Sequence, residues 1–352
     1  MTIVSALVSR RWLVPTLAFT LLLRASADVT PVRANEGDSS AMITKAAQTF
    51  LESLEPEQRA VAQMPYDTLQ RFDWHFIPKE RKGLTLSAMN EDQRDTALEL
   101  LKASLSPSAY AKAKYILLME EVIRIQENDK TGRRDRLKFH WTVFGQPGPD
   151  ADWGYSIEGH HLSVNVTFKG GRLVSTTPLF LGLNPRRLNG EFDFVPMPKG
   201  YEPLAEEENA ALALMASLSE SQRVKAVLPA EHFAVIKTGP INRLHNGDPV
   251  GLAASEFTPE QTTLLKKLVQ SYVDRMIPEE AARSLDEIEQ AGWDAIHFAW
   301  TGPVEKDQPW TFRVQGPTFM IDFDNSQTDP LGTPANHLHS LWRNRARDFG
   351  GK

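Results

Sequence analysis

Phe139-His140-Trp141-Thr142, followed by Trp153-Gly154-Tyr155-Ser156-Ile157-Glu158-Gly159-His160-His161, has an echo late in the chain. There Phe298-Ala299-Trp300-Thr301 is followed by Trp310-Thr311-Phe312-Arg313-Val314-Gln315-Gly316-Pro317-Thr318. Similarity spaced by half a chain length is the mark of a duplicated supersecondary unit. Residues alike in both copies then read as packing, and ligand-capable groups present in one copy only are where function is sought. His160 and His161 stand where the second copy has Pro317 and Thr318, and His140 aligns with Ala299.

The echo continues upstream in the same order. Leu54-Glu55-Pro56-Glu57-Gln58-Arg59 answers to Leu218-Ser219-Glu220-Ser221-Gln222-Arg223, Gly83-Leu84 to Gly251-Leu252, and Asn90-Glu91-Asp92-Gln93 to Thr258-Pro259-Glu260-Gln261. Thr258, Pro259 and Gln261 make a helix start: the hydroxyl and the amide side chain take up orphan backbone groups, and proline has no N–H to leave unpaired. The expected fold is α+β, with two similar repeats, each of helices plus an antiparallel sheet. Repeat 1 spans 42–175 and repeat 2 spans 206–324, joined by a Pro- and Gly-rich connection at 176–205. A C-terminal tail at 325–352, without a counterpart in the first copy, crosses back to repeat 1.

Residues 1–27 read as a signal peptide. Arg10 and Arg11 precede an apolar run from Trp12 to Leu23, and Ala25-Ser26-Ala27 fits a cleavage site. Arg10-Arg11 and Arg24 suit a twin-arginine signal, and an ordinary charged start for the general secretory route is the other reading. The run is shorter than the roughly 20 residues a membrane helix needs, so no stable membrane anchor is expected. Residues 28–41 form a polar leader, read as a flexible tether. The expected location is outside the cytoplasm, periplasmic or extracellular.

The 352 residues carry a formal charge of −6, and losing the signal's three arginines lowers it further. An acidic chain without a basic stripe excludes nucleic-acid binding. The cations between Lys130 and Lys138 read as a solvated turn. With no cysteine, disulfides, thiolate metal sites and cysteine nucleophiles are excluded, and stability has to come from the core.

Strand alternation after Gly159 puts His160, Leu162, Val164, Val166 and Phe168 on one face and His161, Ser163, Asn165 and Thr167 on the other. His161 therefore reads as the functional histidine. His160 begins the core face and bonds a backbone carbonyl, and only a bulge would bring both histidines to one site. Asn336-His337-Leu338-His339 can offer both imidazoles to one ion only if it is extended, which Thr333-Pro334 favours. With His161 they would make the three-ligand, open-position arrangement of a catalytic zinc. Copper suits the same ligands. The alternative is that these histidines are hydrogen-bonding groups that order the tail. His75, flanked by Trp74 and Phe76, lines a pocket or plugs a junction. His232, His245 and His297 read as structural. Asp322 and Asp324 share the face of His161, and Arg343 with Asp348 is an ion pair or an anion clamp.

Gly159-His160-His161-Leu162-Ser163-Val164-Asn165, Thr177-Pro178-Leu179-Phe180-Leu181-Gly182, Ile321-Asp322-Phe323-Asp324 and Asn336-His337-Leu338-His339 occur in that order. On these pieces the chain resembles the domain-of-unknown-function family numbered 3500 over nearly all of its mature length. The resemblance implies an exported protein and supplies no catalytic residues. It departs at Asn325, where many members have histidine, and at Asn184, where many have an acid. The matches at His160, His161, His337, His339, Arg343 and Asp348 point to a site joining the first repeat to the tail.

The leading expectation is an exported metalloprotein with hydrolytic activity. His161, His337 and His339 would hold zinc or copper, with His160 as the alternative ligand, and His75, Glu158 or Asp322 would serve as acid or base on a small-molecule or glycan substrate. The runner-up is a non-catalytic exported binding protein whose Trp74, Trp141, Trp153, Trp300 and Trp310 help line a cleft for a glycan or other small ligand, although most of these tryptophans recur in both copies, which favours core packing. A structural module without a pocket is the third.

Overall fold

The computed structural model describes residues 36–229 and 248–351. The signal reading, most of the leader, and His232 and His245 lie outside the described residues. Among the described residues there are eight α-helices: α1 Glu36–Ser53, α2 Pro56–Ala62, α3 Glu91–Ala103, α4 Pro107–Gln126, α5 Ala205–Ser217, α6 Glu220–Ala226, α7 Pro259–Val273 and α8 Pro278–Ala291. None is long and apolar enough to cross a membrane. Helix α1 takes in the end of the anticipated tether, because Ser40 is buried and its hydroxyl accepts a hydrogen bond from the Leu173 N–H.

The two capped helix starts form as the sequence predicts. The Asn90 side chain accepts from the Gln93 N–H, and Thr258 accepts from the Gln261 N–H. Each glutamine also reaches past its own helix. Gln93 donates to the Ser53 carbonyl at 2.9 Å, and Gln261 to the Ser217 carbonyl at 2.9 Å, so the open carbonyl ends of α1 and α5 are satisfied in the same way.

Twelve strands form one sheet: β1 Gln63–Met64, β2 Leu84–Thr85, β3 His140–Phe144, β4 Trp153–Gly159, β5 Leu162–Lys169, β6 Arg172–Ser175, β7 Leu179–Leu183, β8 Leu252–Ala253, β9 His297–Thr301, β10 Thr311–Gln315, β11 Phe319–Gln327 and β12 His337–Asn344. The order is β1-β3-β4-β5-β7-β12-β11-β10-β9-β8, with β2 on β3 and β6 on β5. All pairs are antiparallel except β1 with β3, so the sheet is mixed. The expected crossing tail is instead a strand inside the sheet. β12 lies between β11 and β7, with Leu338 opposite Leu183 and Trp342 opposite Leu179. The connection at 176–205 contributes β7, which pairs with β5 on one side and with β12 on the other.

The ladders do not overlay Trp141 on Trp300, as the expected repeat requires. Trp141 faces Ile157 and Val143 faces Tyr155, whereas Phe298 faces Val314 and Trp300 faces Phe312. With Trp153 matched to Trp310, Trp300 holds the ladder place of Val143, and Phe298 that of Trp141. His140 then matches His297 rather than Ala299. An alternating strand resembles itself after a shift of two, which is why the aromatic pattern alone aligned it wrongly.

One face of the sheet, with Trp141, Tyr155, Val164, Leu181, Phe312, Ile321 and Trp342, joins the buried side chains of the helices in the main core. The opposite face is polar through Ser156, Glu158, Ser163, Asn165 and Asp322. Over part of it Trp74, Phe76, Phe180, Leu341 and Phe349 form a small second cluster. All five tryptophans expected to line a glycan cleft are buried, at 0–1% exposure. They pack within the cores, with Trp153 stacked on Phe168 and Trp300 on Trp310, and line no cleft.

Candidate metal centre

Gly159 pairs with Leu162, so His160 and His161 are the two central residues of the hairpin between β4 and β5, not strand residues. His161 has φ 64°, in the left-handed region that costs a non-glycine residue about 1–2 kcal/mol. The face assignment from alternation therefore does not apply to this pair, and no bulge is needed to bring them together. Two backbone bonds hold the turn: the His161 N–H donates to the Phe76 carbonyl at 2.9 Å, and its carbonyl accepts from the Gly182 N–H at 2.8 Å. A Cβ at Gly182 would lie 2.9 Å from the Leu338 carbonyl oxygen and 3.1 Å from His161 Cδ2, so the ring occupies space that only glycine leaves.

Strand β12 is extended, so His337 and His339 share a face. The turn delivers His161 to it. His161 Nε2 lies 2.8 Å from His337 Nε2. The His161 and His339 ring centres are 5.4 Å apart, and those of His337 and His339 are 4.8 Å apart. One ligand atom from each of the three lies within 4.8 Å of the others, a group that could hold a metal ion. Nitrogens arranged tetrahedrally about zinc are roughly 3–4 Å apart. Phe76 and Phe180 pack against the His339 ring. Burial holds His161 and His337 well below the usual imidazole range, and the neighbouring histidines push each of them further down. Neutral imidazole is the form that ligates. A hydrogen bond with the Thr328 backbone fixes the His337 ring, as the outer contacts of metal-bound histidines do.

A second group adjoins the first. His160 Nδ1 contacts the Glu120 carboxylate, and Arg134 Nη1 lies 3.1 Å from the same nitrogen. Arg134 is itself held by Glu127 through two bonds of 2.8 and 2.7 Å. The His160 ring stacks on His161 at 3.7 Å. Burial pushes Glu120 up to about 8, against the opposing pull of Arg134, and drives His160 well down. Glu120, His160 and His161 again place ligand atoms within 4.8 Å of one another. His160 is thus bonded to a carboxylate and not to a backbone carbonyl, and Arg134, read as part of a solvated turn, is buried. Sequence reasoning missed Glu120, whose only signal is a carboxylate directly after the apolar run Tyr115-Ile116-Leu117-Leu118-Met119 of α4.

The three residues expected as acid or base lie in neither group. His75 accepts the Ile77 N–H at 3.4 Å within its own loop, and burial, then Lys79 and Arg81, lower it to about 4. Glu158 is buried and paired with Lys82 at 3.1 Å. Burial raises it, and Lys82 and Arg81 oppose that. Asp322 is bound twice by Arg313, at 2.6 and 3.1 Å, on β11. Arg343 and Asp348 form a buried ion pair at 2.5 Å.

The model of the family described as "Protein of unknown function (DUF3500)" matches residues 36–351. The chain belongs to this family. No curated protein and no solved structure matches it. The family match takes in the hairpin histidines, Glu120 and both histidines of β12.

Proposed function

We propose that this protein is an exported metalloprotein in which His161, His337 and His339 hold zinc or copper for hydrolytic chemistry. The observation that carries this reading is the 2.8 Å approach of His161 Nε2 to His337 Nε2, with His339 in reach. Three imidazoles would leave a coordination position open, where a zinc ion would supply Lewis acidity to a substrate oxygen or to water. Glu120, buried and linked to His160, is better placed than His75, Glu158 or Asp322 to exchange a proton beside it. Export rests on Arg10-Arg11, the apolar run and Ala25-Ser26-Ala27. The chain is also read as a duplication about the seam between β7 and β12, supported by the matching glutamine caps and ladders. The second copy has Pro317-Thr318 in place of the two hairpin histidines, so the ligands come from the first turn and the last strand.

The test is elemental analysis of untagged protein from its native compartment. Near-stoichiometric zinc or copper is expected, and His337→Ala is expected to lose most of it with an unchanged circular dichroism spectrum. A wild-type protein without metal, and with no uptake on dialysis against zinc or copper, would overturn the reading.

A further inference from the structure

A cavity of about 310 Å³ opens beside the histidine turn. Glu120 and His160 lie in its lining, together with Lys79, Glu80, Arg81, Arg133 and Lys138. Across the chain acids outnumber bases, 45 to 39. Here the balance is reversed, and the charges are not tied up in strong pairs. Arg81 donates to the carbonyl oxygens of His75, Ile77, Lys79 and Gly159, so it clamps the loop over the turn, with Glu158 and Glu120 among the carboxylates that act on its charge. Arg133 is exposed, and among the described residues no carboxylate pairs with it. Lys79 meets Asp73 at 3.6 Å and Lys138 meets Glu80 at 3.9 Å. Exposed pairs of that length contribute little and yield readily to a competing anion.

Four cations against Glu80 and Glu120 leave this concave site with an excess of positive charge, which its walls focus inward, and a guanidinium fork matches a carboxylate or phosphate with two parallel bonds. We infer that the cavity admits a small molecule bearing an oxyanion, a carboxylate or a phosphate ester. Arg133, Lys79 and Lys138 take the charged group, and the remainder lies toward His160 and His161. That this molecule is the substrate rests on the metalloprotein reading above. The recognition of the anion does not, because the cations that carry it are not ligands.

Isothermal titration with inorganic phosphate, and separately with malonate, tests this on wild-type protein in metal-free and zinc-loaded forms at low ionic strength. Saturable binding of one of the two anions is expected in the metal-free protein, weakening as salt screens the rim. Arg133→Glu with Lys138→Glu should weaken it about tenfold or more, with unchanged metal content. His337→Ala should lose metal and keep the anion. If the double variant does not fold, Arg133→Gln, a change at an exposed position, reads the same effect. Binding of neither anion to wild-type protein, or binding that ignores both Arg133 variants, overturns the inference. Anion binding that depends on Arg133 in a protein that takes up no metal upholds it while removing the metalloprotein reading.

Discussion

His161 Nε2 and His337 Nε2 lie 2.8 Å apart although 176 residues separate them in sequence. Two ring nitrogens so close, in a buried setting that disfavours charge on either ring, are at the distance of a hydrogen bond between neutral imidazoles and belong to a group that could hold one ion. The contact depends on a hairpin turn at one end and an extended strand at the other, and each can be perturbed separately.

The turn is the first target. His161 sits at φ 64°, where a Cβ is strained and glycine is not. His161→Gly and His161→Ala both remove the ligand and should both lose metal. The glycine variant should be the more stable in urea denaturation, by up to about 1 kcal/mol after allowing for the freedom glycine gains in the unfolded chain. An alanine variant equal to or more stable than glycine would show that the turn relaxes out of the left-handed region.

Gly182 tests the space around the ring. In Gly182→Ala the new Cβ meets the Leu338 carbonyl at 2.9 Å, Phe180 Cε1 at 3.0 Å and His161 Cδ2 at 3.1 Å. The backbone oxygen belongs to the β7–β12 seam and cannot move alone, so strand or ring must shift. A loss of about 1–3 kcal/mol and weaker metal uptake are expected from denaturation and equilibrium dialysis. Metal affinity unchanged within error would mean that the His161 ring is not held by this contact.

The cluster should also give the metal-free protein a stability optimum in pH. His160, His161 and His337 are held well below the unfolded value of 6.5. The stability they contribute is therefore complete above about pH 6.5 and is lost as pH falls below it. Glu120 is raised from 4.5 to about 8, so its contribution is complete below 4.5 and is lost as pH rises through 8. Between 4.5 and 6.5 three histidines outweigh one carboxyl, and between 6.5 and 8 the carboxyl acts alone within the cluster. Urea midpoints at pH 5.5, 6.5 and 8 should peak at 6.5, and Glu120→Gln should remove the fall on the alkaline side. A Glu120→Gln profile parallel to wild type between 6.5 and 8 would refute the assignment to Glu120.

Much of this was legible in the sequence for definite reasons. The capped helices at Asn90 and Thr258 announce themselves because a cap is a local device whose residues sit three apart. His337 and His339 could be placed on one face because only an extended segment does that. Three things were hidden. The two-residue turn at His160-His161 was hidden because the apolar alternation of β5 extends backwards through Leu162 to His160, and only the pairing of Gly159 with Leu162 ends it. Trp141 was matched to Trp300 because period-two patterns tolerate a slip of two. Glu120 and Arg134 could not be joined to His160 from sequence, since a glutamate on a helix and an arginine in a charged loop both read as solvated until tertiary packing buries them.

The strand that carries His337 and His339 is the last in sequence among the described residues, yet it lies in the middle of the sheet, between β7 and β11. A chain still being made, or one clipped before residue 337, has the hairpin histidines but lacks their partners, along with the strand that joins the two halves of the sheet. Assembly of the three-histidine group and closure of the sheet are therefore the same late event. A molecule with all three imidazoles brought together is thus one in which residues 337–344 have been made and inserted between β7 and β11.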